Sequence, residues 1–480
     1  MLLIFRLFME QLWPDLRPAD LAVLARVSRD FNDLVNPYLY HTVRFHSPGT
    51  INVHDNLLLK LDTFGDPRFS KMGYIKRVIV SGTWYETYAS IDSHLAPHKI
   101  LSPAARMLSA ILCSCVARMP NLEEFIWDMQ VSMTQHLVSN LVLQPMLRAL
   151  HLRMGTDCTP KPFFRPPLKM NLSVHLNALS LIQIDDIEVM KSVGSAISSA
   201  TNLAHLSIWA DDNSELSLSS LFESWPMQLP SQLHLLDLRG FAALGVTPTD
   251  FWATMRPAKL REVTLELGGR SPVTSFQDFW DAGLEAGLRP VHLTTNIADD
   301  TIETFLRSFS GLEVFHVSPS KIPGRTAASV SLLDALEKQH STTLRVLGLN
   351  LLCHETRPCS CVAMLHLIAH SLPLLEELRI QQNKIDTQAI KAALTVPRLR
   401  VLYIDRGDDV LATTQFLSIA EYFLGDGYAN QLKYIAFDGG PAHKYLRRAR
   451  RFSNGVCLVG YLPDTTLLHE KNFDWVRIPY

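Results

Sequence analysis

From about residue 74 onward the chain repeats one short pattern of apolar and polar positions: a large apolar residue, a second three positions later, and a third two after that. The clear copies read NLEEFIW, MLRALHL, HLNALSL, NLAHLSI, QLHLLDL, KLREVTL, GLRPVHL, GLEVFHV, TLRVLGL, LLEELRI, RLRVLYI and QLKYIAF. Their leads are Leu122, Leu147, Leu176, Leu203, Leu233, Leu260, Leu288, Leu312, Leu344, Leu375, Leu399 and Leu432, spaced by 24 to 33 residues. An earlier copy, YIKRVIV led by Ile75, stands 47 residues before Leu122. The second and third apolar residues lie two apart, so they share one face of a strand while their neighbours take the other. Each copy therefore predicts a short strand with one core face.

The stretches between copies carry apolar residues at helical spacing. DDTIETFLRSF, residues 299–309, opens on acidic residues and places Ile302, Phe305, Leu306 and Phe309 on one helix face; SLLDALEKQ, VAMLHLIAHSL and TQFLSIAEYFL behave alike. Strand and helix thus alternate, and stacked units make a parallel sheet lined by helices. One unit alone cannot bury its leucines; at roughly 1.5–3 kcal/mol for each fully buried Leu or Ile, neighbours must close the core. The period resembles that of leucine-rich repeats. Those commonly place Asn or Cys three residues after the third apolar position, to satisfy backbone groups at the turn; here Asn296 and Asn383 stand there, and Gly155, Ile184, Asp211, Phe241 or Gly268 elsewhere. The expected array is irregular.

Residues 1–45 lack the repeat. In VSRDFNDLVNPYLYHTVRF, residues 27–45, Val27, Phe31, Leu34 and Val35 recur at helical spacing, Pro37 interrupts, and Tyr40, Thr42 and Val43 favour strand. The segment resembles the F-box, especially as fungal F-box proteins carry it: Asp20-Leu21, Leu24, Val27-Ser28-Arg29, Phe31, Leu34 and Pro37-Tyr38-Leu39-Tyr40 match its motif. The resemblance implies docking on the Skp1 subunit of a cullin-RING ubiquitin ligase (an SCF complex), with Leu12, Leu16, Leu21, Leu24, Val27 and Phe31 as helical core and Skp1-facing surface. The alternative is that these six only hold a helical cap on the solenoid. F-boxes usually open with Leu-Pro-x-Glu just upstream of the first helix, and Met1 already falls inside that helix, so the module is expected to be degenerate or to begin further upstream. The fold expected is α/β: an irregular leucine-rich-repeat solenoid over 46–440, preceded by this all-α F-box-like module and followed by a C-terminal cap over 441–480.

Composition narrows the functional classes. With 480 residues, 47% of them hydrophobic, the chain can bury a large core. A net charge of −2 supplies no overall field to draw in nucleic acid or an anionic membrane. Seven irregularly spaced cysteines do not make a disulfide framework and point to a reducing compartment, cytoplasmic or nuclear. MLLIFRLFM has the apolar character of a signal-peptide core, but Arg6 interrupts it and no small-residue cleavage site follows; no apolar run approaches the roughly 18 residues of a transmembrane helix.

Catalytic motifs are missing: there is no G-x-S-x-G elbow, H-E-x-x-H helix, Walker loop or G-x-G-x-x-G turn, so neither an enzyme nor a cofactor is expected. The pairs Asp185-Asp186, Asp211-Asp212, Asp299-Asp300 and Asp408-Asp409 follow strands or precede helices, where turn and helix-start chemistry explains them, as a turn explains Arg406-Gly407-Asp408. Cys353, Cys359, Cys361, His366 and His370 offer soft ligands, but their spacing is no standard zinc pattern and no metal is expected. In KYLRRARR, Lys444, Arg447, Arg448, Arg450 and Arg451 read either as a phosphate-binding or nuclear-localisation patch or, preferably, as the solvated face of a capping helix with Leu446 and Ala449 inward.

The second, fourth and sixth positions after each lead face the open, concave side of such a solenoid. They supply His151, Arg153, His205, Trp209, Asp237, Arg239, Glu262, Glu266, His292, His316, Arg379, Tyr403, Asp405, Tyr434 and Asp438. Mixed charge with Trp, Tyr and Arg is the chemistry of a protein-binding face. Two functions follow: a substrate-recruiting, non-catalytic SCF subunit, or a leucine-rich-repeat scaffold without the ligase link.

Overall fold

The computed structural model describes residues 18–48, 54–83, 103–129, 133–154, 175–197, 199–211, 215–222, 232–267, 277–296, 300–317, 329–350, 359–382, 387–406, 432, 434–438, 445–452 and 455–463. By packing the chain divides into two compact units, Met1–Leu233 with Val476–Tyr480, and His234–Trp475.

The first unit carries β1 (Thr42–Pro48), β2 (Arg77–Thr83), β3 (Glu124–Met129), β4 (Ala149–Arg153), β5 (Ala178–Ile184) and β6 (His205–Ala210), parallel and adjacent in chain order. The second carries β7 (Leu235–Phe241), β8 (Glu262–Leu267), β9 (His292–Thr295), β10 (Val314–Val317), β11 (Val346–Asn350), β12 (Glu377–Gln382), β13 (Val401–Arg406) and β14 (Tyr434–Asp438), again parallel in chain order. Helices such as Pro103–Val116, Gln135–Val142 and Ile187–Ile197 in the first unit return the chain between strands, as Pro248–Met255, Gln277–Glu285, Asp300–Arg307, Val330–His340 and Cys359–Ser371 do in the second. This is an α/β solenoid of the leucine-rich-repeat kind. TQFLSIAEYFL and Asn383 lie outside the described residues.

Every copy of the repeat yields a strand, because its apolar triplet is driven inward: Leu122, Phe125 and Trp127 are wholly buried, as are Leu312 and Phe315. One backbone device sets the register. The carbonyl just before each strand accepts two successive N–H groups of the next repeat: Lys76 from Glu123 and Glu124, Glu123 from Arg148 and Ala149, Arg261 from Val291 and His292, Glu313 from Arg345 and Val346, Glu376 from Arg400 and Val401. These bonds shift one repeat. His292 pairs with Glu262 and Val314, so the lead position of GLRPVHL is Pro290 rather than Leu288. A shift of two keeps His292 on the same face and moves it one row. Asn296 does the turn work expected of it, accepting the Leu267 N–H at 2.8 Å and donating to the Leu267 carbonyl at 2.6 Å.

Cores differ between the units. Behind β3 to β5 of the first unit stand aliphatic and sulfur side chains such as Leu112, Cys115, Leu137, Val138 and Leu141, with an aromatic group, Phe45, Phe64 and Phe69, at its β1 end. Behind the second runs an aromatic chain: Trp252 to Phe279 (5.0 Å between centroids), Phe279 to Trp280 (5.2 Å), Trp280 to Phe305 (4.8 Å), Phe305 to Phe309 (5.1 Å) and Phe309 to His340 (5.1 Å). Gly283 makes room for it, since a Cβ there would lie 3.1 Å from Trp252 Nε1. His340 ends the chain as a structural clip. Its Nδ1 accepts the Leu312 N–H at 3.3 Å, so Nε2 carries the proton that meets the Leu306 carbonyl at 3.0 Å.

Two local expectations are corrected. Pro37 does not end its helix: Arg29–Leu39 runs through it, with Pro37 in the last turn and Ser28 capping the start by accepting the Phe31 N–H. KYLRRARR is not a capping helix. Tyr445–Phe452 is β15, antiparallel to β14, and Gly455–Pro463 is β16, antiparallel to β15. The three-residue spacing of Leu446 and Ala449 suited a helix, but pairing with the open edge of β14 satisfies the backbone groups that edge would otherwise expose.

Candidate functional site

The sheet face away from the helices presents three rows of side chains, from the second, fourth and sixth positions of each repeat. In the first unit the first row includes Arg77, Glu124, Ala149, Ala178 and His205, and the next includes Ile79, Ile126, His151, Ser180 and Ser207. Arg77 Nε meets Glu124 at 2.8 Å, and His151 Nε2 stands 3.5 Å from the same carboxylate. Burial raises the Glu124 pKa, with Arg77 opposing the rise.

Beside that row lies a sealed ion pair. Arg153 Nε donates to Asp128 Oδ1 at 2.7 Å, with the two side chains only 3% and 5% exposed. Arg153 Nη1 donates to Gln183 Oε1 at 2.9 Å. Gln183 takes a positive φ of 57° where the β5 register slips between Leu181 and Ile184. A bulge therefore turns its amide back over Arg153, at the cost of a left-handed backbone that only glycine adopts freely. Trp209, half-buried, stands opposite that bulge.

In the second unit the middle row reads Asp237, Thr264, Thr294, His316, Gly348, Arg379 and Tyr403, each hydrogen-bonded neighbour by register. Arg239 Nε donates to Asp237 at 2.7 Å, and its Nη1 reaches Glu266 at 3.8 Å. Burial works against the Arg239 charge, but Asp237 and Glu266 outweigh it and raise the guanidinium pKa. His316 is buried; that burial, reinforced by Arg379 and Arg239, holds its imidazole well below ordinary basicity, so it is neutral. The two guanidinium charges act on His316 from opposite sides of its strand, Arg379 from β12 and Arg239 from β7. Arg379 itself lies over the Tyr403 ring, 4.6 Å from its centroid. Glu262 and His292, 3.6 Å apart, sit one row away.

The structure thus sets His151, Arg153, His205 and Trp209 on one such face, and Asp237, Arg239, Glu262, Glu266, His292, His316, Arg379 and Tyr403 on the other. Asp405 lies in β13 and Tyr434 and Asp438 in β14 by backbone; their side chains are outside the described residues. Positional reasoning missed Glu124 and Asp128, although they occupy the second and sixth places after Leu122, and Glu377, second after Leu375. Gln183 had no signal, because a bulge is invisible in local spacing.

At the N-terminus, Leu21, Ala25 and Val35 form a small core with Leu24, Leu34, Tyr38 and Leu39 packed against it. Phe31 is half-buried, while Val23 and Val27 are 63% and 64% exposed. Leu12 and Leu16 lie outside the described residues. Of the Cys/His cluster, His366 and His370 are exposed on their helix; Cys353 and the side chains of Cys359 and Cys361 lie outside the described residues. Among the described residues no group of three His, Cys, Asp or Glu is placed to hold a metal ion, and no helix is long and apolar enough to cross a membrane. Asp186 accepts the Glu188 N–H at 2.7 Å, the helix-start role expected of it.

No protein-family model matches this chain, and no curated protein matches it in sequence. Among solved structures it is similar to an internalin from Listeria monocytogenes, at 13% identity over 79% of this chain and 92% of that one, with a TM-score of 0.33. So distant a likeness adds nothing to the strand order and repeat register described above, on which the fold assignment rests.

Proposed function

We propose that this chain is a non-catalytic adaptor whose sheet faces hold a protein ligand and whose N-terminal helices dock on Skp1, placing that ligand before a cullin-RING ubiquitin ligase. The protein-binding half rests on the rows of the second unit. Paired charges, threonines and an arginine-stacked tyrosine stand there in register on a sheet face, chemistry suited to reading another polypeptide. The Skp1 half rests on the F-box resemblance of residues 1–45, supported by one observation: Val23 and Val27 point outward beside a helix pair whose own apolar core is already closed. A leucine-rich-repeat scaffold without the ligase link is the second reading, since the repeat faces serve either.

Co-purification decides between them. The full chain is expected to retain Skp1, and Val23→Asp with Val27→Asp to lose it while the melting temperature holds. Failure of the wild-type chain to bind Skp1 sinks the ligase link and leaves the scaffold. Proximity labelling with and without residues 1–45, under proteasome inhibition, then reports the ligand of the repeat faces.

A further inference from the structure

Towards its β13 end the middle row of the second unit is built from flat side chains. His316 on β10, Gly348 on β11, Arg379 on β12 and Tyr403 on β13 pair in consecutive register, so one strand step of about 4.8 Å separates each from the next. That step falls within the roughly 4.5–7 Å at which planar groups stack or meet edge to face. Arg379 exploits it: its guanidinium lies over the Tyr403 ring, 4.6 Å from the centroid. On its other side the neighbour is Gly348, which offers no side chain. Backbone geometry does not explain that glycine, because register runs through it to both neighbours without a bulge and its φ is not positive. A glycine inside a strand weakens it and marks a place where another group comes close.

We propose that the Gly348 position receives one aromatic side chain of the protein ligand, a Trp or Tyr held between His316 and Arg379. This rests on the protein-binding reading above and gives it an anchor residue. His316 and Arg379 stand two strand steps apart, roughly 10 Å, and a ring with contacts of about 3.5–4 Å on each face takes up about 7–8 Å of that. The inserted ring continues the arrangement that Arg379 and Tyr403 begin, with the guanidinium between two aromatic faces. Burial favours it, since Thr294, His316, Gly348 and Tyr403 are all buried and a cation–π contact gains strength where water is excluded. The opposite wall is a neutral imidazole, so the ring desolvates no charge on that side.

Other occupants fit less well. A Lys or Arg meets the like charges of Arg379 and Arg239, both of which act at His316. An aliphatic side chain fills the space but draws no attraction from the guanidinium. A nucleobase is flat, but Asp237, Glu262 and Glu266 stand on the same sheet face, and their carboxylates repel the phosphate backbone that carries it.

Selection from a random peptide library displayed on phage, against the folded full chain, supplies the probe, and fluorescence anisotropy with a labelled peptide from that set reads the contact. The selected peptides are expected to share one Trp or Tyr, and its replacement by Ala should weaken binding about tenfold. Gly348→Val, which fills the position with a side chain of the protein's own, should weaken it about as much and Arg379→Gln severalfold, whereas Arg44→Gln on β1 leaves it unchanged. Arg379→Gln keeps the test informative if Gly348→Val misfolds. The proposal falls if the peptides have no aromatic residue in common, if folded variants at Gly348 and Arg379 bind as wild type does, or if labelled oligo-dT binds more tightly and is lost with them. Glu262→Lys, on the same face and more exposed, separates the two levels. Peptides that lose affinity with Glu262→Lys but not with Gly348→Val or Arg379→Gln overturn the aromatic anchor alone; a library that yields no binder overturns the protein-binding reading with it.

Discussion

Arg153 and Arg239 occupy the same place, the sixth position after a lead leucine, one in each unit, and they end in opposite situations. Arg153 finds its carboxylate on the preceding strand, in Asp128, and Gln183 closes over it from the following one, so the pair is sealed. Arg239 finds Asp237 two residues back in its own strand and makes a longer contact to Glu266, and its side chain stays 19% exposed. A cross-strand partner plus a bulge turns an arginine into a sealed strut; a same-strand partner leaves it partly exposed. The repeat position is identical, and the neighbours decide the role.

Breaking the strut should give the largest effect. Arg153→Met strands the buried Asp128 charge and is expected to cost about 3–5 kcal/mol, read by urea denaturation, with hydrogen exchange rising in first-unit peptides. Adding Asp128→Leu should recover much of that loss; no recovery would mean the pair is not the cause. Acidification sharpens the contrast from the second unit. Burial lowers the His340 pKa below 6.5, with its bond to the Leu306 carbonyl opposing, and His316 is lowered further. Above pH 6.5 both states are neutral; below it the unfolded chain takes up protons that the folded chain refuses, so stability falls from about pH 6.5 downward, by up to about 1.36 kcal/mol for each unit of pKa separation. His340→Gln, which can still accept from Leu312 and donate to Leu306, should flatten that fall in second-unit hydrogen exchange. Arg239→Met should cost less, about 1–2 kcal/mol, because Arg239 and Asp237 keep 19% and 13% exposure and the stranded Asp237 carboxylate can take up water. A loss as large as that of Arg153→Met would erase the distinction between sealed strut and partly exposed pair.

The smallest effect belongs to two tryptophans of the aromatic chain. Trp252 Nε1 donates to the Phe279 carbonyl at 2.8 Å, whereas the Trp280 indole N–H, wholly buried, meets no hydrogen-bond partner among the described residues. Trp252→Phe is therefore expected to cost about 1 kcal/mol more than Trp280→Phe in thermal denaturation, since only the first abandons a hydrogen bond.

Much of the architecture was legible before any coordinates. The apolar triplets led by Leu122 through Leu432 each became a strand, and Ile302, Phe305 and Leu306 marked a return helix, because period two and period 3.6 are local properties of the chain. Face assignment even survived a wrong frame: reading Leu288 as a lead left His292 on the right side, since an error of two residues preserves parity. Row assignment did not survive it. Row membership depends on hydrogen bonds to a strand some thirty residues away, and no local spacing records those.

The sequence by itself determined where the strands and helices lie and which side chains each strand turns away from its leucines, because burial of an apolar face is decided within one repeat. Only the tertiary structure decided which of those side chains meet. It sealed Arg153 against Asp128, bent Gln183 into a left-handed turn above it, and set Arg239 and Arg379 on either side of His316. It also made Tyr445–Phe452 a strand, where spacing within the segment favoured a helix. The physical reason is the same in each case: pairing energy belongs to two strands at once, and one of them is always elsewhere in the chain.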